Sequence, residues 1–212
     1  MVQFFDMVPL RDHNQLKICV SGAAETAHCG INAFDTAKFL GREIVQQGAL
    51  LVTGATTGFP MWAAIGAKEA GGVSIGFSPA ASEREHVEVF NLPVDYMDII
   101  VYTGFGYSGR DLILTRSSDA VVFGCGRIGT IHEFTIAFED EKPVGILRSE
   151  WATDEVIESI LANAHRGREH VVFDTDPRAL IERVMEMVVT DRLHRAERFL
   201  DKGATAPNHI MK

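Results

Sequence analysis

The chain has 212 residues, enough for one α/β unit of ordinary size, and its 46% hydrophobic content suffices for a sizeable core. A formal net charge of −9 argues against nucleic acid as a partner, while a small anion needs only a local positive site. Cys19, Cys29 and Cys125 are odd in number and show no C-x-x-C spacing, which argues for a reducing compartment and against a disulfide frame or a zinc site.

Residues 1–14 lack the layout of a signal peptide. No apolar run approaches the roughly 20 residues that span a bilayer. A soluble, cytoplasmic protein with no membrane partner is expected, as one domain over 1–212 with irregular ends at 1–15 and 202–212.

Taken in order, residues 16–20 form a short apolar strand ending in the small-residue turn 21–25. A helix from about Ile31 presents Ala33, Phe34, Ala37, Leu40 and Ile44 on one face and stops at Gly48, which tolerates the left-handed C-cap. Strand 49–53, the Gly/Thr turn 53–58, helix 60–70 and strand 73–77 follow. Residues 79–97, with Pro79, Pro93 and a charged run around His86, predict an irregular excursion.

Strand 98–102 then leads through Gly104 and Gly109 into a helix opening near Arg110. The β-branched run at 119–123 enters a Gly-rich turn and a helix from Thr130 to Asp140. Strand 144–147, helix 153–164, strand 171–173 and a helix from Pro177 to Leu200 complete the chain. Continuous apolar strands alternating with helices predict a Rossmann-like, doubly wound parallel sheet with helices on both faces. In such a fold the turns 21–25, 53–58 and 124–130 converge beyond the strand C-termini, where ligands bind.

The turn at 124–130 carries the chemistry. Glycines let a ligand approach the backbone, and the helix that follows offers unpaired N–H groups at the positive end of its dipole. Gly124, Gly126 and Gly129 also spell G-x-G-x-x-G, the dinucleotide fingerprint. That motif wants a packing glycine and an apolar helix start, whereas Thr130 and Glu133 are polar; Glu150 or Arg148 would be the ribose partner. Thr130 and Glu133 have the spacing of a capping box, and equally of a ligand site in a helix first turn.

Arg110, at a helix N-terminus disfavoured for cations, asks for an anionic partner. Arg127 either clamps a phosphate or points to water. Cys125 beside a helix N-terminus, with His132 nearby in sequence, admits a thiol nucleophile. Arg116 reads as structural, Trp62 and Trp151 as packing residues, and His28, His86 and His209 as loop or surface residues without metal-ligand spacing.

Ser21-Gly-Ala, Leu51-Val-Thr-Gly-Ala-Thr-Thr-Gly58 with Met61, Ala70-Gly-Gly72, Arg110 and Gly126-x-x-Gly129-Thr-x-x-Glu133 occur in the order seen in the Lonely Guy family, formerly labelled lysine decarboxylases. The chain resembles that family over residues 16–148. Its enzymes cleave the N-glycosidic bond of nucleoside 5′-monophosphates, using an arginine and the last glutamate of P-G-G-x-G-T-x-x-E. The resemblance implies Arg110 and Glu133 as the catalytic pair, and Asp119, Gly126, Gly129 and Thr130 also match the family pattern. Cys125 replaces the signature proline, Arg127 its second glycine, His132 a frequent glutamate, and Asp111 the lysine that usually follows the arginine. With the phrase Thr103-Gly-Phe-Gly-Tyr-Ser-Gly-Arg-Asp111, these departures resemble a sister branch that includes the molybdenum cofactor carrier proteins.

The expected ligand site therefore comprises Ser21, Gly22, Gly54, Thr56, Thr57, Gly58, Gly126, Arg127, Ile128, Gly129 and Thr130, with no metal and no required cofactor. A nucleotide or a phosphorylated pterin is the expected guest. Hydrolysis of a nucleoside monophosphate and carriage without cleavage both follow from the resemblance, as does a homo-oligomer of dimer size or larger. A structural subunit whose glycines only make tight turns is the third reading.

Overall fold

The computed structural model describes residues 15–204; the expectations for residues 1–14, for His209 and for the rest of 205–212 lie outside them. Seven strands, β1 (Lys17–Ser21), β2 (Leu50–Thr53), β3 (Ser74–Ser78), β4 (Ile99–Tyr102), β5 (Ala120–Phe123), β6 (Val144–Leu147) and β7 (Val171–Asp174), form one parallel sheet in the order β4-β3-β2-β1-β5-β6-β7. The helices between them are α1 (Ala33–Gln46), α2 (Phe59–Glu69), α3 (Glu83–Glu88), α4 (Gly106–Ser117), α5 (Ile128–Glu139), α6 (Thr153–Asn163) and α7 (Pro177–Ala204). The chain winds outward from β1 to β4, then returns to place β5 on the other side of β1. That reversal opens a crevice between the C-terminal ends of β1 and β5.

Period-two alternation sends each strand's side chains to two separate cores. Ile18, Val20, Leu51, Ala120 and Val122 pack with α1, α2 and α7 on one face. Cys19, Val52, Val121 and Phe123 pack with Phe134, Ala137, Ile157 and Leu161 of α5 and α6 on the other. Both faces are covered, as the uninterrupted apolar strands predict. None of the described helices is long and apolar enough to cross a membrane.

Several local expectations change. The excursion at 79–97 contains the one-and-a-half-turn helix α3, capped by Ser82, whose hydroxyl accepts from Glu85 N–H at 3.2 Å. His86, expected as a loop or surface residue, is fully buried, 2.8 Å from Ser78 Oγ and 2.9 Å from the Pro93 carbonyl. Both ring nitrogens are thus engaged, and the imidazole pins the excursion to β3. α4 begins at Gly106, so Arg110 lies in its second turn rather than opening it. α5 begins at Ile128 rather than Thr130, and α7 runs on through residues 201–204, beyond the expected end at Leu200.

The cysteine expectation is overturned: Cys29 and Cys125 are joined as a disulfide, their Cα atoms 5.5 Å apart. They are 96 residues apart in sequence, and only the adjacency of β1 and β5 brings their turns together. A nucleophilic Cys125 paired with His132 is excluded in this state, since its sulfur is bonded to Cys29. Cys19 is free, and burial pushes its thiol well above the usual range.

Trp151 is buried, its indole N–H donating to the Leu147 carbonyl at 3.2 Å, and its ring meets Phe59 edge-on at 5.7 Å. Trp62 packs edge-on against Phe34 at 5.4 Å, so both tryptophans are packing residues. Arg116 is ion-paired with Asp140 at 2.8 Å on the surface. Phe134 fixes α5 to the sheet: it is fully buried, edge-on to Phe123 at 5.7 Å and stacked on Phe138 at 5.8 Å. Truncating it leaves a cavity one residue from Glu133. Phe134→Ala should lower stability by about 3–5 kcal/mol in urea unfolding; a loss under about 1 kcal/mol would mean that α5 is not held by this ring.

Candidate functional site

A crevice of about 420 Å³ opens at the sheet reversal. Its walls come from the segment after β1 (Ser21 to Glu25), from Gly54 and Thr56 after β2, from Tyr107, Arg110 and Asp111 of α4, and from Arg127 to Thr130 with Glu133. The three predicted turns do converge, as parallel strands deliver their C-termini to one edge.

Of the predicted residues, Ser21, Gly22, Gly54, Thr56, Arg127, Ile128, Gly129, Thr130, Arg110 and Glu133 line this crevice. Thr57, Gly58 and Gly126 do not. The exposed Thr57 hydroxyl donates to the Ala24 carbonyl at 3.2 Å. Gly58 caps α2 at φ +71°, with the Ala23 and Ala24 carbonyls where a Cβ would stand. Gly126 turns its N–H away to the Thr153 hydroxyl at 2.8 Å. Gly124, first of the fingerprint glycines, packs on Phe59: a Cβ there would lie 2.2 Å from the ring. Arg148 is paired with Glu158 and stacks on Phe173 at 4.7 Å, and neither it nor Glu150 lines the crevice. Gly124, Gly126 and the expected ribose partners thus lie off the crevice, and only Gly129 of the motif lines it.

The Thr130–Glu133 capping box is not formed. Thr130 is the third residue of α5, and its hydroxyl accepts a long 3.4 Å bond from Arg127 N–H. Glu133 turns instead across the sheet, where the Ser21 hydroxyl donates to its Oε2. The first backbone bond of the helix runs from Ile131 N–H to the Arg127 carbonyl at 3.1 Å. Ile128, Gly129 and Thr130, whose N–H groups precede that first helical bond, line the crevice.

The crevice also holds a buried charge cluster. Arg110 is 6% exposed, Asp111 4% and Glu133 7%. Arg110 Nη1 is 3.9 Å from Glu133 Oε1, and its Nε is 3.1 Å from Asp111 Oδ1 without donating to it, so Nε has no hydrogen-bond partner. The guanidinium is seated on Gly54, where a Cβ would lie 1.6 Å from Nη1. The second Asp111 oxygen, Oδ2, is 2.9 Å from His132 Nδ1. Burial pushes Glu133 up to about 7; the Asp111 charge adds to this and Arg110 opposes it. Near neutrality Glu133 can therefore give or take a proton.

At the mouth, Arg127 is ion-paired with Glu25, both side chains being exposed. Tyr107 offers a half-exposed ring, 5.7 Å from the Arg110 guanidinium carbon. Asp111, Tyr107, Glu25 and Pro60 escaped the sequence reading as site residues. Asp111 and Tyr107 stood in the phrase at 103–111 and Glu25 in the turn 21–25, none with a role of its own, and Pro60 carries no motif. Asp119, which matches the family pattern, lies at the opposite end of β5, 3.0 Å from both Lys17 Nζ and Arg192 Nη2, and is structural.

The model of the SLOG cluster4 family matches residues 15–181. An uncharacterised protein of Archaeoglobus fulgidus is 32% identical over 133 residues, 63% of this chain and 80% of its own length. The solved molybdenum cofactor binding protein from Rippkaea orientalis is 28% identical, with a TM-score of 0.69 over 83% of this chain and 99% of that one. The molybdenum cofactor carrier protein from Chlamydomonas reinhardtii is 29% identical, with a TM-score of 0.66 over the same shares, 83% and 99%.

The raised Glu133 has a thermodynamic consequence. The native chain holds a proton on this group that the unfolded chain releases above about 4.5, so its contribution to stability is full below 4.5 and is lost as pH rises through about 7. Glu133→Gln keeps a neutral acceptor for Ser21 and removes that dependence. Unfolding free energies measured from pH 4 to 8 should show the wild type losing stability relative to the variant across this window. Parallel profiles would show that Glu133 titrates normally.

Proposed function

The chain belongs to the SLOG cluster4 family, and on that footing we propose that it binds a phosphorylated pterin nucleotide of the molybdenum cofactor type and carries it without cleaving it. One observation carries this reading: Arg110, buried and with no hydrogen-bond partner at Nε, lines the same crevice as the first three residues of α5, whose N–H groups precede the first helical bond. Such donors are costly to bury without an acceptor, and a phosphate or other anionic group supplies one. The phosphate sits on the N–H groups of residues 128–130, with Arg127 exchanging Glu25 for it as a bidentate partner. The flat heterocycle lies against Tyr107, and Asp111 with Glu133 accepts from its ring N–H and amino groups. The match to two molybdenum cofactor proteins at 28% and 29% identity over nearly their whole length supports this choice of ligand.

A second reading has its own observation. Glu133, pushed up to about 7 and facing Arg110, suits general acid–base work. In that reading water adds to the anomeric carbon of a nucleoside 5′-monophosphate as the C–N bond to the base breaks, and Glu133 takes a proton from that water and passes it to the departing base. Arg110 stabilises the negative charge that develops on the departing base. Self-association into a dimer or larger homo-oligomer belongs to the same proposal and is read by light scattering.

Native mass spectrometry of the protein as purified decides between the readings. A bound phosphorylated pterin, retained by wild type and lost or weakened at least about tenfold by Arg110→Ala, supports carriage. Release of free base from AMP, abolished by Glu133→Gln, would replace it with the hydrolase. Neither a bound species nor a thermal shift with any nucleotide or pterin would overturn both.

A further inference from the structure

Outside the crevice, His28, Cys29 and Cys125 form a compact cluster. A ring nitrogen of His28 and the two sulfurs lie within 4.8 Å of one another, with His28 exposed and both cysteines buried. His28 Nε2 is 3.9 Å from Cys29 Sγ. We propose that this cluster is a thiophilic metal site in the reduced chain, with the disulfide as its oxidised, metal-free alternative.

Two thiolates and an imidazole are the donor set of zinc and related soft cations, and three protein ligands leave a fourth position for water or another ligand. The two sulfurs on one zinc stand about 3.8 Å apart, from Zn–S bonds of about 2.3 Å in tetrahedral geometry. They must therefore separate when the disulfide opens. The backbones need not, because other contacts hold the same two segments together. Ala23 N–H donates to the Cys125 carbonyl at 2.7 Å, and Glu25 is paired with Arg127. Thr153 fixes the far side of the turn through both backbone groups of Gly126, at 2.8 and 3.2 Å. The ligands thus stay assembled after reduction, which lowers the ordering cost of binding.

A cleft of about 250 Å³, lined by His28, Gly126, Arg127 and Ile128 among others, reaches His28 and the residue after Cys125. The bond chemistry is simple. A phosphine and one water reduce the disulfide to two thiols, the phosphine leaving as its oxide. A zinc ion then displaces two protons to form two Zn–S bonds, and neutral His28 donates its ring nitrogen.

The test uses the full chain, reduced with a water-soluble phosphine under anaerobic conditions and titrated with zinc against a chromophoric chelator. One equivalent per chain is expected for the reduced protein and none for the oxidised one. Binding should be lost in Cys29→Ser and Cys125→Ser, with the fold checked by circular dichroism. It should weaken about tenfold or more in His28→Ala, an exposed position at which folding is not at risk. Cobalt(II) in place of zinc should show thiolate-to-metal charge-transfer absorption. A reduced, folded chain that takes no zinc would overturn the proposal, as would zinc retained by the double cysteine variant or a cobalt spectrum without that absorption. Unchanged affinity in His28→Ala would overturn the three-ligand site.

Discussion

The placement of one carboxyl group governs this site. Glu133 is buried at the reversal point of the sheet, where ionisation is opposed by the lack of water and by Asp111, and favoured by Arg110. Neither a bare carboxylate nor a bare guanidinium would be tolerated there alone. The two are kept together by structure around them: Gly54 makes room for the guanidinium, Ser21 reaches Glu133 from β1, and Phe134 locks the helix that carries it. The cluster is left one acceptor short, at Arg110 Nε, and the arginine that carries it lines the crevice.

The sheet order explains why these groups meet. β1 lies between β2 and β5, so the segments that follow all three strands share one edge. Two of those segments are then tied by a backbone hydrogen bond and a disulfide. Both segments run from a strand into a helix. The two ties give the crevice a rigid rear wall, while Arg127 and Glu25 at the mouth remain in solvent, where an ion pair contributes little and is readily exchanged for a ligand.

The glycines illustrate how motif and role separate. G-x-G-x-x-G is present at 124, 126 and 129, yet Gly124 serves the packing of Phe59 and Gly126 bonds to Thr153. Gly129 alone of the three lines the crevice. Likewise T-x-x-E at 130–133 has the spacing of a helix cap, but the helix starts two residues earlier and Glu133 pairs with Ser21 instead. A local pattern reports which residues are near in sequence. It does not report which competing partner a buried side chain finds.

Much of the protein was therefore legible before folding. The alternation of apolar runs with helical periodicity determined an all-parallel sheet covered on both faces, because that pattern is local and repeated along the chain. The same reading located the three turns, Arg110 and Glu133. Tertiary structure alone decided the pairings across the sheet: Ser21 with Glu133, 112 residues apart, Asp111 with His132, 21 apart, and Cys29 with Cys125, 96 apart. The first and third depend on β5 lying beside β1 and the second on α4 packing against α5, and no short window of sequence contains those adjacencies. Burial of His86 and the titration of Glu133 have the same origin, since removal from water is a property of the assembled fold.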